Sequence, residues 1–138
     1  MYKVRKTTRF ENIVLLNTEI FPCDPLEIDQ KSRGWLVYHQ NNPIGFCTMR
    51  MLEDKIAFMD RGGILDEHRG KGIHKRLIKV RERYARAHGS EVIITYVMED
   101  NYASLFTLVR HGYKMYEPDY AYAGVKGVIY LQKDISCQ

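Results

Sequence analysis

Ile64-Leu65-Asp66-Glu67-His68-Arg69-Gly70-Lys71-Gly72-Ile73-His74-Lys75 hands an apolar strand over to a basic helix. Glycines at such a junction free the backbone to approach a ligand closely. The first turn of the helix then points unpaired N–H groups and a positive dipole at the same place. An anion is the natural guest, and a pyrophosphate suits it best. Two familiar phosphate loops are excluded by single residues. A dinucleotide fingerprint needs a third glycine at position 75, which is Lys75. A P-loop needs Ser or Thr after Gly70-Lys71, where Gly72 stands.

Downstream, Ile73, Leu77, Val80, Tyr84 and Ala87 predict one face of a helix that ends at His88-Gly89. Val92 to Val97 is a short apolar run, expected to be a strand covered on both faces. Asn101 to Arg110 is helical again and closes at Gly112. Tyr113 to Tyr116 and Val128 to Lys133 predict the last strands, around a Tyr-rich loop. Upstream, Lys55 to Ile64 is a strand interrupted at its end by Gly62-Gly63. Trp35 to His39 and Ile44 to Met51 are strands joined by the turn Gln40-Asn41-Asn42-Pro43. Tyr2 to Thr7 alternates as an edge strand does. Thr8-Arg9-Phe10-Glu11 fits a capping box, followed by a helix with the stripe Phe10, Ile13, Val14, Asn17 and Ile20. Phe21-Pro22-Cys23-Asp24-Pro25 stops that helix. The pattern is mixed α/β around one sheet.

A chain of 138 residues, 45% hydrophobic and 28% charged, makes one domain with its own core and excludes a disordered or collagen-like polymer. No apolar run approaches the roughly 20 residues of a membrane helix, and the first six residues lack a signal peptide's apolar core. Three cysteines (Cys23, Cys47, Cys137) in no metal spacing suit a reducing compartment, so a cytoplasmic location without membrane contact is expected. The five histidines show no ligand spacing either, and no metal is expected. Cys47 is expected to be a small buried strand residue, not a nucleophile. The net charge is only +4, yet eight Lys and Arg residues lie between Arg69 and Arg86 against the single acid Glu82. Such a stripe suits a phosphate-bearing ligand, nucleic acid or an acidic partner, with a solvated helix face as the plain alternative.

Arg69-Gly70-Lys71-Gly72-Ile73 after a β-branched strand end resembles the acetyl-CoA loop of the GNAT N-acyltransferase superfamily, Arg/Gln-x-x-Gly-x-Gly/Ala. A second signature of that family follows in order, as Asn101, Ser104, Leu108, Gly112 and Tyr113. The two cover about Lys55 to Tyr116. The resemblance implies a GNAT fold, with a mixed central sheet of about six to seven strands flanked by helices and splayed at the cofactor site. It implies acetyl-CoA as co-substrate. Gly62, Gly63 and Ile64 would pair their backbone with the pantetheine arm. Arg69, Gly70, Lys71, Gly72, Ile73, His74 and Lys75 would wrap the pyrophosphate, and Asn101 would hydrogen-bond the arm. Three departures are visible. His74 stands where the family has Gly or Ala. Leu108 stands where many members place the Tyr that protonates the departing thiolate. Tyr96 stands where ribosomal-protein acetyltransferases carry an acid, which argues against that specificity.

Transfer to an amine needs a group to take its proton, because a lysine-like ammonium has a pKa of about 10.4. Asp60, on the strand leading into the cofactor site, is the first candidate, with a salt bridge to Arg61 or another basic residue at a strand end as its structural alternative. Glu99 and Asp100 are the runners-up, with helix capping as theirs. Tyr96 and the tyrosines of the final loop are candidates to replace the missing acid or to line an acceptor pocket. Residues 19–33 and 117–127 would form the acceptor side. Asp24, Glu27, Asp29, Glu117 and Asp119 give it a mildly acidic character suited to a cationic amine, either a small molecule or a protein lysine or N-terminus. The expected activity is direct acyl transfer from acetyl-CoA to a primary amine in a ternary complex. Two rivals remain: a GNAT-like module that binds CoA or a partner without turnover, and, less favoured, a protein contacting nucleic acid, for instance an acylase of charged tRNA. A homodimer is left open.

Overall fold

The computed structural model describes residues 1–136, so Cys137 lies outside the described residues. One seven-stranded sheet runs in the order β1-β2-β3-β4-β5-β7-β6. Its strands are β1 (Tyr2–Thr7), β2 (Ser32–His39), β3 (Asn42–Met51), β4 (Ile56–Ile64), β5 (Val92–Met98), β6 (Lys114–Met115) and β7 (Val128–Asp134). The helices are α1 (Glu11–Ile20), α2 (Ile73–Ala87) and α3 (Tyr102–Arg110). β1 to β4 form an antiparallel meander. α2 then crosses over so that β5 lies parallel to β4, and β7 returns antiparallel to β5. No described helix is long and apolar enough to cross a membrane.

Alternation along the strands divides the core between the two faces of the sheet. Trp35, Val37, Cys47, Met49, Ala57 and Met59 point to the face covered by α2 and α3, while Leu36 and Phe46 point to the face covered by α1. Each buried Val, Leu, Met or Phe among them contributes roughly 1.5–3 kcal/mol. The β2–β3 turn lies where expected and is tighter: only Gln40 and Asn41 stand outside the strands, at positive φ that matches the twist of the hairpin, while Asn42 and Pro43 already pair with His39 and Tyr38.

Four expectations are corrected. The capping box does not form: α1 begins at Glu11 after an uncapped Phe10. The amide of Arg9 instead donates to the Thr7 hydroxyl, so the local turn is made one residue earlier. The buried stripe of α1 is Ile13, Leu16 and Asn17, and Val14 is exposed. β5 buries only alternate residues, because Ile94 and Tyr96 face a half-open aromatic layer and no helix. Finally, α2 buries Ile73, Leu77, Ile78, Arg81, Glu82 and Ala85, while Ala87 is exposed. The basic run is therefore not one solvated face.

Candidate active site

β4 and β5 are in register for only three pairs, ending at Phe58↔Ile94. Beyond that point the strands part. Two hydroxyls satisfy carbonyls at the fork: Thr95 Oγ1 donates to Met59 O, and Tyr122 Oη donates to Thr95 O, each at 3.0 Å. On its other side β4 carries a bulge against β3, where the Arg61 amide donates to Thr48 Oγ1 at 3.2 Å. The fork opens into a cleft of about 490 Å³. Its walls include Asp60, Gly62, Gly63 and Ile64 from β4, Thr95 and Tyr96 from β5, and Asn101, Ser104 and Leu108 around α3. Arg69, His74 and Arg81 close the α2 side, and Phe21 the α1 side.

At the mouth, Gly70 and Gly72 both have φ of +76°. A Cβ at either would meet nothing within 4 Å, so it is backbone conformation and not crowding that selects glycine. The conformation turns the chain so that, among the described residues, the N–H groups of residues 70–75 have no protein acceptor. Ile73 supplies only its amide, since its side chain is core. Lys71 and Lys75 are exposed beside the turn. Arg69 is tied back to the strand end, donating through Nε to Ile64 O at 3.3 Å. His74 faces the cleft, and partial desolvation with the Arg81 and Arg69 guanidinium groups lowers its pKa. Gly63 has a packing reason of its own. A Cβ there would lie 2.9 Å from the Phe21 ring, so the glycine lets the end of α1 close onto the cleft.

Asp60 stands in the cleft wall without a hydrogen bond or ion pair among the described residues. The expected alternative, a bridge to Arg61, does not form. Arg61 turns to α1 instead, donating to Asn17 Oδ1 at 2.9 Å and pairing with the Asp24 carboxylate at 2.7 Å. Desolvation raises the Asp60 pKa despite the opposing pull of Arg61, Arg50 and Arg81, with Glu27 adding to the rise. Tyr96 lines the same wall, stacked on Phe58 at 6.0 Å between ring centroids. Partial burial and the Asp60 charge raise its pKa. Glu99 is exposed, lies outside the cleft and packs beside Gly127. The helix cap belongs to Asn101, whose Oδ1 accepts from the Ser104 amide at 3.3 Å. Its amide nitrogen stays available to a ligand.

Two of the five carboxylates on the expected acceptor side are paired with cations, Asp24 with Arg61 and Asp29 with Arg50. Burial pushes the Cys47 thiol up to about 11, so it is inert, as expected of its place in β3. Among the described residues no group of three His, Cys, Asp or Glu side chains is placed to hold a metal. Sequence reasoning missed Arg81 as a cleft residue. The signal was there, since Arg81 continues Ile73 and Leu77 at four-residue spacing on the buried face of α2.

A family model described as acetyltransferase (GNAT) family matches residues 3–113. The chain belongs to that family. The seven-stranded forked sheet with three helices is the GNAT fold, and solved structures agree. The IAA acetyltransferase from Bacillus cereus superposes with a TM-score of 0.78 at 14% identity, covering 97% of this chain and 99% of that one. The ribosomal-protein-S18-alanine N-acetyltransferase from Escherichia coli gives 0.81 at 11% identity, covering 100% and 96%. A Bacillus subtilis acetyltransferase in complex with CoA gives 0.78 at 12% identity, covering 97% and 99%. At these identities the likeness is one of fold. No curated protein sequence matches the chain. Transfer of an acyl group from CoA is what membership in the GNAT family implies, and the residues present suit that co-substrate. Free amides at the mouth suit a pyrophosphate, and the unpaired edges of β4 and β5 suit an amide-bearing arm.

Proposed function

We propose that residues 1–138 form one acetyl-CoA-dependent N-acyltransferase domain acting on a primary amine by direct attack in a ternary complex. The observation that carries this reading is the three-pair seam between β4 and β5, opening into a cleft whose mouth is a row of unbonded amides. Acetyl-CoA, when bound, supplies the activated acyl group. The N–H groups of residues 70–75 hold its pyrophosphate, the backbone of Gly62, Gly63 and Ile64 aligns its arm, and Asn101 donates to the arm from the α3 side. Asp60 takes the proton of the incoming ammonium. A desolvated carboxylate without an ion-pair partner is a stronger base than a paired one, which suits it to the task. Tyr96 and Phe21 flank the approach to Asp60, so the acceptor enters past two aromatic rings. Binding without turnover is the second reading, supported by Leu108, a buried leucine in the cleft wall that offers no proton.

Calorimetry with acetyl-CoA tests the co-substrate. Micromolar binding by the wild type, lost in Gly72→Trp, is expected; absence of binding by the wild type would overturn it. Release of free thiol across a panel of amines then separates the two readings. Turnover with at least one amine is expected of the enzyme, and none from a binding module.

A further inference from the structure

Arg81 is only 6% exposed, in the middle of α2 on the face that packs against the sheet. Its Nε donates to Leu77 O at 3.0 Å and its Nη1 to Thr48 O at 3.2 Å. Among the described residues it forms no salt bridge. The neighbouring Glu82 is taken by Lys133 at 3.2 Å and by the Tyr113 hydroxyl at 2.7 Å. Nη2 has no protein acceptor among the described residues and lies 3.8 Å from where a Cβ on Gly62 would sit. The guanidinium is thus part of the cleft wall, which it shares with Thr95 and Leu108. Burying a cation against two neutral carbonyls is costly, and Ile73 and Leu77 show that an aliphatic side chain packs well on this face. A buried cation that faces a ligand cleft without a counter-ion is placed for an anion that arrives with the ligand.

We propose that Arg81 receives the negative charge on the sulfur of CoA and so replaces a proton donor at position 108. This rests on the reading of the cleft as the acetyl-CoA site. In the transfer, the amine that has given its ammonium proton to Asp60 forms the bond from nitrogen to the acyl carbon, and the second proton, lost as that nitrogen becomes an amide, passes to solvent. The C–S bond breaks with its electron pair going to sulfur. Arg81 holds that sulfur as a thiolate until solvent protonates it. A thiolate near a guanidinium is stabilised as cysteine thiolates are beside Arg or Lys.

The test is the pH dependence of affinity. A free thiol is largely protonated near pH 7. If the protein binds the thiolate, CoA binding tightens about tenfold per pH unit between roughly pH 6 and 8. Acetyl-CoA has no such proton to lose. Other titratable and charged groups face this region: Cys47 on β3, Asp60 and Arg61 on β4, Tyr96 on β5, Arg69 before α2, His74 on α2 and Tyr113 after α3. They are common to both complexes, so the ratio of the two affinities removes their contribution. We expect the wild-type ratio to climb with pH, Arg81→Lys to keep the slope and Arg81→Gln to flatten it while acetyl-CoA still binds. Parallel pH profiles for CoA and acetyl-CoA in the wild type would overturn the assignment, with no variant needed and the acetyl-CoA reading intact. An unchanged slope in Arg81→Gln would also overturn it. Binding of neither molecule would overturn both readings together. A preference for succinyl-CoA that Arg81→Gln abolishes would overturn it too, by giving the guanidinium to a carboxylate on the acyl chain.

Discussion

The two banks of the cleft are built on different principles. The β4–α2 bank presents mainly backbone at its mouth: two left-handed glycines, a row of amides without a protein acceptor among the described residues, and a strand edge. At the mouth its side chains serve as support, Arg69 anchoring the turn and Ile73 fixing α2 to the core, while deeper in the cleft the same bank presents Asp60 and Arg81. The opposite bank, made by β5, α3, the segment after α1 and the loop before β7, presents side chains. Tyr96, Tyr122 and Tyr130 form a layer with ring centroids 4.9 to 6.3 Å apart, which Phe58 of β4 joins from across the seam. Backbone recognition depends on conformation, which a few glycines enforce at any sequence background. Side-chain recognition depends on which distant segments meet. The first bank suits a constant co-substrate, and the second a variable acceptor.

Gly72→Val attacks the backbone bank most directly. A β-branched residue at φ of +76° costs roughly 1–2 kcal/mol of strain, so acetyl-CoA affinity should fall roughly 5- to 30-fold in calorimetry. Were the loop to tolerate valine, glycine would not be what shapes the mouth.

Asp60→Asn acts where the banks meet. We expect turnover to drop by about 10²-fold or more with acetyl-CoA affinity unchanged. In the wild type the rate should fall as pH drops through the raised Asp60 pKa, so the acid limb lies above the ordinary carboxylate range. The stability effect has the opposite sign to that of a salt-bridged aspartate. Because the folded pKa is raised, the folded state holds this proton more tightly than the unfolded chain does. Its stabilising contribution is present at low pH and is lost as pH rises through the folded pKa. At neutral pH Asp60→Asn should therefore raise Tm while slowing the reaction. A fall in both would point to a structural aspartate.

Thr95→Val tests the fork itself. Removing the hydroxyl leaves Met59 O without its 3.0 Å partner, and denaturant unfolding should register about 1–2 kcal/mol. Stability equal to the wild type would mean that water serves the fork as well. The smallest effect is expected for Lys79→Gln with Arg83→Gln, both exposed on the outer side of α2. Acetyl-CoA affinity should change by less than about twofold, since screened surface charges contribute little. A steeply salt-dependent affinity for RNA that this pair of changes weakens would revive the nucleic-acid reading.

The backbone bank was legible in the sequence because its determinants are contiguous. Gly70, Gly72 and the helical period after them lie within one short stretch, and the left-handed turn and the helix start follow from their spacing. The strands of the meander were legible for the same reason, though Ser32–Gly34 joined β2 by pairing with Thr48 to Arg50, which no local pattern announces. The other bank was less so. Nothing near Asp60 in the sequence says that Arg61 turns away to Asn17 and Asp24 in a segment some 40 residues earlier. Nor does the charge run show that Arg81 is buried, because counting charges hides the face on which each one falls. Glu99 was drawn in by sequence proximity to β5, yet the strand's exit carries it away from the cleft.

The three-pair seam has a mechanical meaning as well. Hydrogen bonding divides the sheet into a four-stranded panel, β1 to β4, and a three-stranded panel, β5, β7 and β6, stitched along a short hem. The chain passes between the panels once, through α2 and the turn at Gly89. With so few ladder hydrogen bonds across the hem, we expect the opening angle between the panels to be softer than bending within either one. A molecule lying along the fork touches both panels and acts as a clasp. Amide exchange along Met59 to Ile64 and Thr95 to Met98 should then slow together on loading, as two leaves of one hinge.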